Sequence, residues 1–320
     1  MSGEFEFIEH LSEIFHLGKI GDDCAIIEKD ENTELVITTD LLVEDIDFCL
    51  KWSTPQQVGH KALAVSISDV AAMGARPLYA LTSIAVPENL WKTDFTEEFY
   101  NGFMSLAAKF SIELIGGDIS RSNHGFSVNS ILLGEIEKGH AIFRSGAQVG
   151  DLIYVTGFLG DAAAGLKLLQ GDLDSKCESE SKILISRHLK PEPQLAIGVT
   201  LAKNRLATAM IDISDGLSSE IWHICRSSRV GARIIADNIP LSKELQAIVQ
   251  DERERLSLAL NGGEDFQLLF TVSPQKVAEM ELLLCDQQIT LIGEITDNKT
   301  VEIVFDDRVE NLYPRGFQHF

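Results

Sequence analysis

Basic residues, paired cysteines and long apolar runs are all scarce in this chain of 320 residues, and each shortage removes a class of function. Twenty-seven Lys and Arg stand against 49 Asp and Glu, a net charge of -22 that repels nucleic acid and anionic membrane surfaces at long range. Neither is expected as a partner. The five cysteines (Cys24, Cys49, Cys177, Cys225 and Cys285) are odd in number, scattered and without a C-x-x-C pair. Reduced thiols and a cytoplasmic setting are therefore expected. No apolar run approaches the roughly 20 residues that span a bilayer, and the acidic opening lacks the basic and apolar regions of a secretory signal. H-E-x-x-H, G-x-S-x-G, G-x-x-x-x-G-K-[ST] and G-x-G-x-x-G are all missing, as are the protein-kinase H-R-D and D-F-G. A zincin, a serine-hydrolase elbow and the standard nucleotide folds are thus unsupported.

What is present is an ordinary globular balance, 45% hydrophobic and 24% charged, on a chain long enough for about two domains. Alternating β-rich and helical patterns predict an α/β chain. Strands are expected at Glu34–Asp40, Leu78–Val86, Phe126–Ile136, Asp151–Thr156, Thr208–Ile213, Phe266–Val272 and Thr290–Ile295. Helices are expected at Phe5–Phe15, Gln56–Met73, Phe95–Phe110, Asp161–Leu169, Pro193–Lys203, Gly216–Ser228 and Pro274–Leu284. The polar, Gly-containing stretch Lys138–Asp151 separates two halves, placing domains at 1–145 and 146–320. A second polar stretch, Gly171–Ser181, reads as a mobile loop.

Most of the acids read as solvated surface, as in Glu28–Glu34, Asp251–Glu254 and Asp306–Asp307. Another set lies at strand ends, in Gly turns or in apolar surroundings: Asp22, Asp23, Asp40, Asp69, Asp118, Asp212 and Asp215. Each has a local alternative. Asp215 before Gly216-Leu217 could be a helix N-cap, and Asp22, Asp40 or Asp118 could bond their own turns. Asp69 is harder to dismiss, because it sits within the apolar helical pattern Ala62–Met73, where an unpaired carboxylate is costly. Few basic residues flank the set, so divalent cations would neutralise it, and carboxylates without His or Cys suit hard ions such as Mg2+. The Gly-rich segments Ile115-Gly116-Gly117-Asp118 and Asn261-Gly262-Gly263-Glu264-Asp265 let a backbone approach a ligand or serve as tight turns. Arg144 could grip a phosphate or make a surface pair. The aromatic spacing near Trp222 and His223 reads as core.

Taken together, these segments form a pattern. Gly21-Asp22-Asp23-Cys24-Ala25, Thr38-Thr39-Asp40, Lys61–Val65 continuing to Ser68–Ala75, Ile115–Asp118, Arg144–Ala147, Arg187-His188-Leu189-Lys190-Pro191, Ile211–Leu217, Gly262–Phe266 and the closing Gly316–Phe320 resemble the thiamine-monophosphate kinase family in order and spacing. The resemblance runs from about residue 4 to the end. It implies the two-domain aminoimidazole ribonucleotide synthetase-like (PurM-like) architecture, with an N-terminal α/β domain that pairs in a homodimer and a C-terminal α/β sandwich. It also implies transfer of the γ-phosphoryl of ATP to thiamine monophosphate, giving thiamine diphosphate and ADP, with several Mg2+ ions. Carried over by position, Asp23, Thr38, Thr39, Asp40, Asp69, Asp118, Asp212 and Asp215 are the expected metal shell, some through backbone oxygen or water. Tyr100, Gly117, Asp118, Arg144 and Ser214 are the expected ATP contacts, and Glu264 and Phe317 the expected substrate contacts.

Four positions depart from the family. Asp47 in Glu44-Asp45-Ile46-Asp47-Phe48 stands where a substrate-contacting His is usual, Phe266-Gln267 replaces Tyr-Glu, and Gln194 replaces an Arg. The acceptor, a phosphate monoester with a second pKa near about 6, is already largely dianionic at neutral pH, so no general base and no covalent nucleophile is expected. The thiazolium ring would rest on an aromatic face, with Phe317 as the candidate, a contact worth roughly 0.5–2 kcal/mol. Two rivals stand beside this expectation. One is another ATP-dependent enzyme of the superfamily, such as a purine-pathway cyclase or a selenophosphate synthetase, the latter disfavoured by the absence of a reactive Cys in a Gly-rich N-terminal segment. The other is a non-catalytic nucleotide sensor.

Overall fold

The computed structural model describes residues 4–174, 176–306 and 308–317. The N-terminal half runs α1 (Glu4–Phe15), β1 (Ala25–Glu28), β2 (Thr33–Val43), α2 (Pro55–Ala72), β3 (Arg76–Pro87), α3 (Glu88–Trp91), α4 (Phe95–Phe110), β4 (Glu113–Ser122) and β5 (Ser127–Glu137). Among the described residues these strands make a five-stranded sheet in the order β1-β2-β5-β3-β4, antiparallel except for the β3–β4 pair. The C-terminal half runs β6 (Leu152–Thr156), α5 (Asp161–Gln170), α6 (Glu178–Leu189), α7 (Leu195–Lys203), β7 (Ala207–Ile213), α8 (Leu217–Ser228) and β8 (Gly231–Ile235). It continues through α9 (Lys243–Ile248), α10 (Glu252–Asn261), β9 (Gln267–Val272), α11 (Val277–Leu283), β10 (Ile289–Thr296), β11 (Val301–Val304) and β12 (Val309–Asn311). A seven-stranded sheet results, ordered β12-β11-β8-β10-β6-β9-β7.

Helix α2 joins the halves. It starts at a capping box, in which Thr54 accepts from the Gln57 backbone while the Gln57 side chain bonds back, with Pro55 at the first helical position. Its apolar residues lie all round, the pattern of a helix covered on every side. It packs on β2 and β5 in one direction and on α7 and β7 in the other. Against α4 the two backbones touch: a Cβ on Gly59 would overlap the Phe99 carbonyl, and one on Gly102 the Gln56 carbonyl. Phe95, Phe99 and Phe126 fill the adjoining core with edge-on ring contacts 5.0–5.4 Å apart. This core continues without a break into Met210, Leu268 and Phe270 of the second sheet. Residues of both halves are thereby held at one seam, and the seam carries the site.

Strands β1, β8, β11 and β12 and helices α3, α9 and α10 lie outside the expected elements, and two stretches differ from the sequence reading. Gly171–Ser181, expected as a mobile loop, enters α6 at Glu178, with the Ser181 N–H on the Cys177 carbonyl and Glu178 and Glu180 complementing the helix dipole. Ser175 lies outside the described residues. Ile115–Asp118, read as a turn or ligand loop, belongs to strand β4. Gly117 lets that strand lie hard against Thr82 of β3, and as an edge strand it has no buried side chain to reveal it.

Candidate functional site

Strand alternation on β2 turns Thr38 and Asp40 toward α2, while Thr39 and Leu41 face the opposite side of the sheet. Helix α2 answers with Ser66, Ser68 and Asp69. Thr38 Oγ1 donates to Asp69 Oδ2, Ser66 Oγ to Asp40 Oδ2 at 2.6 Å, and Ser68 Oγ to Asp212 Oδ2 of β7 at 2.6 Å. The segment before β1 adds Asp22 and Asp23. Carboxylate oxygens of Asp23, Asp69 and Asp212 all lie within 4.8 Å of one another. Arg144, from the connection between the sheets, donates Nε to Asp23 Oδ1 at 3.1 Å and its backbone N–H to Asp22 Oδ1 at 3.1 Å. Its side chain is only one-fifth exposed, so the simple surface pair is not what forms.

This arrangement is short of positive charge. Burial, reinforced by Asp40 and Asp212, holds the Asp69 carboxyl well above its ordinary range. Asp212 is pushed up to about 8 by burial and then by Asp23, and Asp40 to about 6 by burial. Burial raises Asp23 too, against the pull of Arg144. Its Oδ2 is buried with no hydrogen-bond partner. An orphaned carboxylate oxygen beside other raised carboxyls, with no His or Cys among the donors, fits a hard divalent cation such as Mg2+.

Two cavities lie beside these acids, the larger reached by Asp23 and Asp69 and the smaller by Asp40. The larger, about 1060 Å³, is lined by Asp22, Asp23, Thr38, Thr39, Asp69 and Arg144, with Lys19, His223 and Arg226 nearby and Ile8 and Leu11 of α1 at an apolar end. The smaller, about 260 Å³, is lined by Asp40, Asp47, Ser214, Asp215, Glu264 and Phe317, with Leu42, Val65 and Phe266 as apolar wall. The C-terminal strap that carries Phe317 is bonded to the start of α8: Gly316 N–H to Ser219 Oγ at 3.1 Å and Phe317 N–H to the Asp215 carbonyl at 3.1 Å. A Cβ on Gly316 would overlap that carbonyl and the Ser219 hydroxyl, so the strap fits only without one. Gln318–Phe320, which close the motif, lie outside the described residues.

Glu264 is held from both halves of the chain. Lys61 Nζ of α2 lies 2.5 Å from Oε1 and His188 Nδ1 of α6 lies 3.0 Å from Oε2. Burial pushes the Glu264 carboxyl up, but Lys61 and then His188 bring it down to about 2. Glu264 and Phe266 have φ of 68° and 47°, in the left-handed region that non-glycine residues enter only at a cost. Asp47 accepts the Val43 N–H on Oδ2 at 2.7 Å. Helix α8 is capped at Gly216 with no side-chain cap bond, so the N-cap alternative for Asp215 is not realised.

Three expected residues lie elsewhere within the chain. Gly117 and Asp118 are on the exposed edge strand β4, and Tyr100 on α4 bonds Thr82 of β3 at 3.0 Å. Three strand spacings of about 4.8 Å, roughly 14 Å, separate β4 from β2 in the same row of the sheet. Thr39 Oγ1 donates to Asn129 Oδ1 at 2.8 Å on the outer face. Sequence reasoning passed over Glu220, which is buried and accepts the Asp215 N–H at 3.1 Å; burial and then Asp215 hold its carboxyl well up. It also read His223 as core, whereas His223 lines the larger cavity. Both sit on an amphipathic helix, where pattern alone does not tell a core face from a cavity wall.

Comparison with known proteins shows to which family the chain belongs. Residues 21–136 match the N-terminal domain of AIR synthase related proteins and residues 148–306 the C-terminal domain. The thiamine-monophosphate kinase of Buchnera aphidicola subsp. Acyrthosiphon pisum is 39% identical over 306 residues, covering 94% of this chain and 92% of that one. The chain belongs to the thiamine-monophosphate kinase family. Within the family, the Bacillus subtilis kinase is 36% identical, with 94% of this chain and 93% of that one covered. The solved structure of AaThiL complexed with AMPPCP and TMP superposes with a TM-score of 0.89 at 34% identity, over 99% of this chain and 97% of that one.

Proposed function

We propose that this chain is a thiamine-monophosphate kinase that passes the γ-phosphoryl of ATP directly to the phosphate of thiamine monophosphate. The observation that carries this reading is a set of buried acids of which Asp23 and Asp69 line a larger cavity, suited to a nucleotide, and Asp40 a smaller one, suited to the acceptor. The AaThiL complex, with an ATP analogue and TMP together, supports the same division. Asp23, Asp69 and Asp212 would hold Mg2+ first, with Thr38, Asp40 and Asp215 beside them and Thr39 through its backbone. Bound there, Mg2+ supplies neutralisation and alignment of the phosphate oxygens.

Each residue then has a physical task. Arg144 is fixed by Asp22 and Asp23 at the larger cavity, where its guanidinium can meet phosphate oxygens. Ser214, expected as an ATP contact, lines the smaller cavity rather than the larger, together with Asp215, Glu264 and Phe317, and Phe317 and Glu264 are assigned to the ring of the acceptor. No side chain is asked to accept a proton or a phosphoryl group. Incubation with Mg2+, ATP and thiamine monophosphate is expected to yield thiamine diphosphate and ADP one for one, with no phosphoprotein after acid quench. ATP binding without product would favour the sensor, and a trapped aspartyl-phosphate would refute direct transfer.

The division into 1–145 and 146–320, and the homodimer, belong to the same proposal, as does a cytoplasmic setting suited to the free thiols. No helix among the described residues is long and apolar enough to cross a membrane. The outer face of the five-stranded sheet exposes Leu41, Tyr79 and Ile115, and β4 is an edge strand. A second copy covering this face would bring its own Gly117 and Asp118 toward the nucleotide cavity, accounting for their distance from Asp40 in one chain. Sedimentation at micromolar concentration is expected to give a dimer; a stable monomer with full activity would remove this part of the reading.

A further inference from the structure

Two segments of the family pattern, Lys61–Val65 and Arg187–Pro191, have no task in the reading above, yet each sends a buried side chain to the same carboxylate. Lys61 and His188 are about 3% and 4% exposed at the side chain, and they occupy the two oxygens of Glu264 separately. Lys61 Nζ also donates to the Asp47 carbonyl at 2.8 Å, so one ammonium ties together two of the three candidate substrate contacts of the smaller cavity. The Glu264 N–H is bonded to the Ser214 carbonyl at 2.6 Å, which leaves the side chain little freedom. Its side chain is 28% exposed and lines that cavity together with Phe266 and Phe317.

We propose that Lys61 and His188 are positioning residues that hold Glu264 as a fixed anion for the cationic and N–H-bearing ring portion of the acceptor. The inference rests on the function proposed above and deepens it. Neither residue needs to touch the acceptor: both act through Glu264, whose two oxygens lie against the Lys61 ammonium and the His188 ring separately and keep lone pairs for a ligand. A carboxylate gripped on both oxygens in a mostly apolar pocket recognises a cation or donor without paying for its own reorientation on binding. Because Lys61 and Asp47 come from the first half of the chain and His188 and Glu264 from the second, the grip forms only when the halves are packed as described.

Steady-state rates, varying each substrate with the other saturating, test this in the full-length protein. Lys61→Met is expected to raise KM for thiamine monophosphate about tenfold or more, with KM for ATP within about twofold. His188→Leu is expected to raise it about fivefold, with His188→Gln recovering part of the loss through its amide donor. The deciding measurement is the cycle with Glu264→Gln: if Lys61 acts through Glu264, adding Lys61→Met to that variant changes KM by less than about twofold. The double variant also carries no unpaired buried charge, so it remains testable if Lys61→Met folds poorly. Equal rises in both KM values, an additive double variant, or unchanged KM for thiamine monophosphate would each overturn the positioning role. Wild-type protein that makes no thiamine diphosphate would instead remove the function on which it rests.

Discussion

Asp212→Asn is expected to lower kcat for thiamine diphosphate formation about 10³-fold while raising the thermal midpoint of the metal-free protein by a few °C, about 1 kcal/mol of stability. The two effects have one cause. In the folded chain the Asp212 carboxyl is pushed up to about 8, by burial first and then by Asp23, so its ionised form is disfavoured in the very place where a metal ligand is needed. Asparagine keeps the shape and the hydrogen bond with Ser68 Oγ but carries no charge to be repelled. The variant therefore relieves the acid cluster and loses its ability to hold a cation that binds the reacting phosphates, a trade of function against stability. Calorimetry without metal and rates at saturating Mg2+ measure both. A variant that is inactive and less stable would mean that Asp212 serves the fold; one that is active would mean that the cluster is not the phosphoryl-transfer site.

The second large effect concerns pH and Mg2+ together. Asp212 folds with its pKa near 8 and Asp40 near 6, both raised from an ordinary 3.8, and Asp69 is held higher than its ordinary range as well. Between the unfolded and folded values the native state binds more protons, so the stability of the metal-free protein falls as pH rises through that window. The contribution is fully present below about pH 4 and lost by above about pH 8. Mg2+ competes with those protons and binds the native state, so at about 100 times its Kd it adds about 2.7 kcal/mol, or about 5 °C, near pH 8. Near pH 5 the rise should be much smaller, because protons must first leave. Thermal scans at both pH values, with chelator and with Mg2+, give four midpoints. Equal Mg2+ shifts at the two pH values, or metal-free stability that increases with pH over this range, would contradict the cluster as a cation site. The Lys61–Glu264–His188 group runs oppositely: Glu264, brought to about 2, stabilises above its ordinary value and is lost only as pH falls through about 2, so it does not mask the trend.

How the candidate residues came to be readable differs from one to another. Asp69 was legible because a charge in an apolar helix demands a reason, and Thr38-Thr39-Asp40 because they end an apolar strand. The resemblance then tied these to Arg144, Asp212 and Glu264, which are far apart in the chain. Asp118 shows the opposite case: its motif is plain, but its place on an edge strand about three strands from Asp40 is a matter of sheet order, which no local pattern encodes. Thr39 likewise is adjacent to the metal-facing residues in the chain yet turned to the other face by strand alternation. Lys61 and His188 are ordinary helix residues by periodicity, and their common target emerges only when α2 and α6 are brought to one loop.

By itself, then, the sequence determined the α/β class, the main strands and helices, the family and the set of aspartates that must be answered by positive charge. These follow from local period, composition and the order of motifs. Which acids share one ion, which line the acceptor's cavity, and which lysine and histidine grip Glu264 were decided only by the packing of two sheets against α2. Contacts between residues more than a hundred positions apart depend on sheet order and helix approach, and those are set by the whole buried core rather than by any one segment.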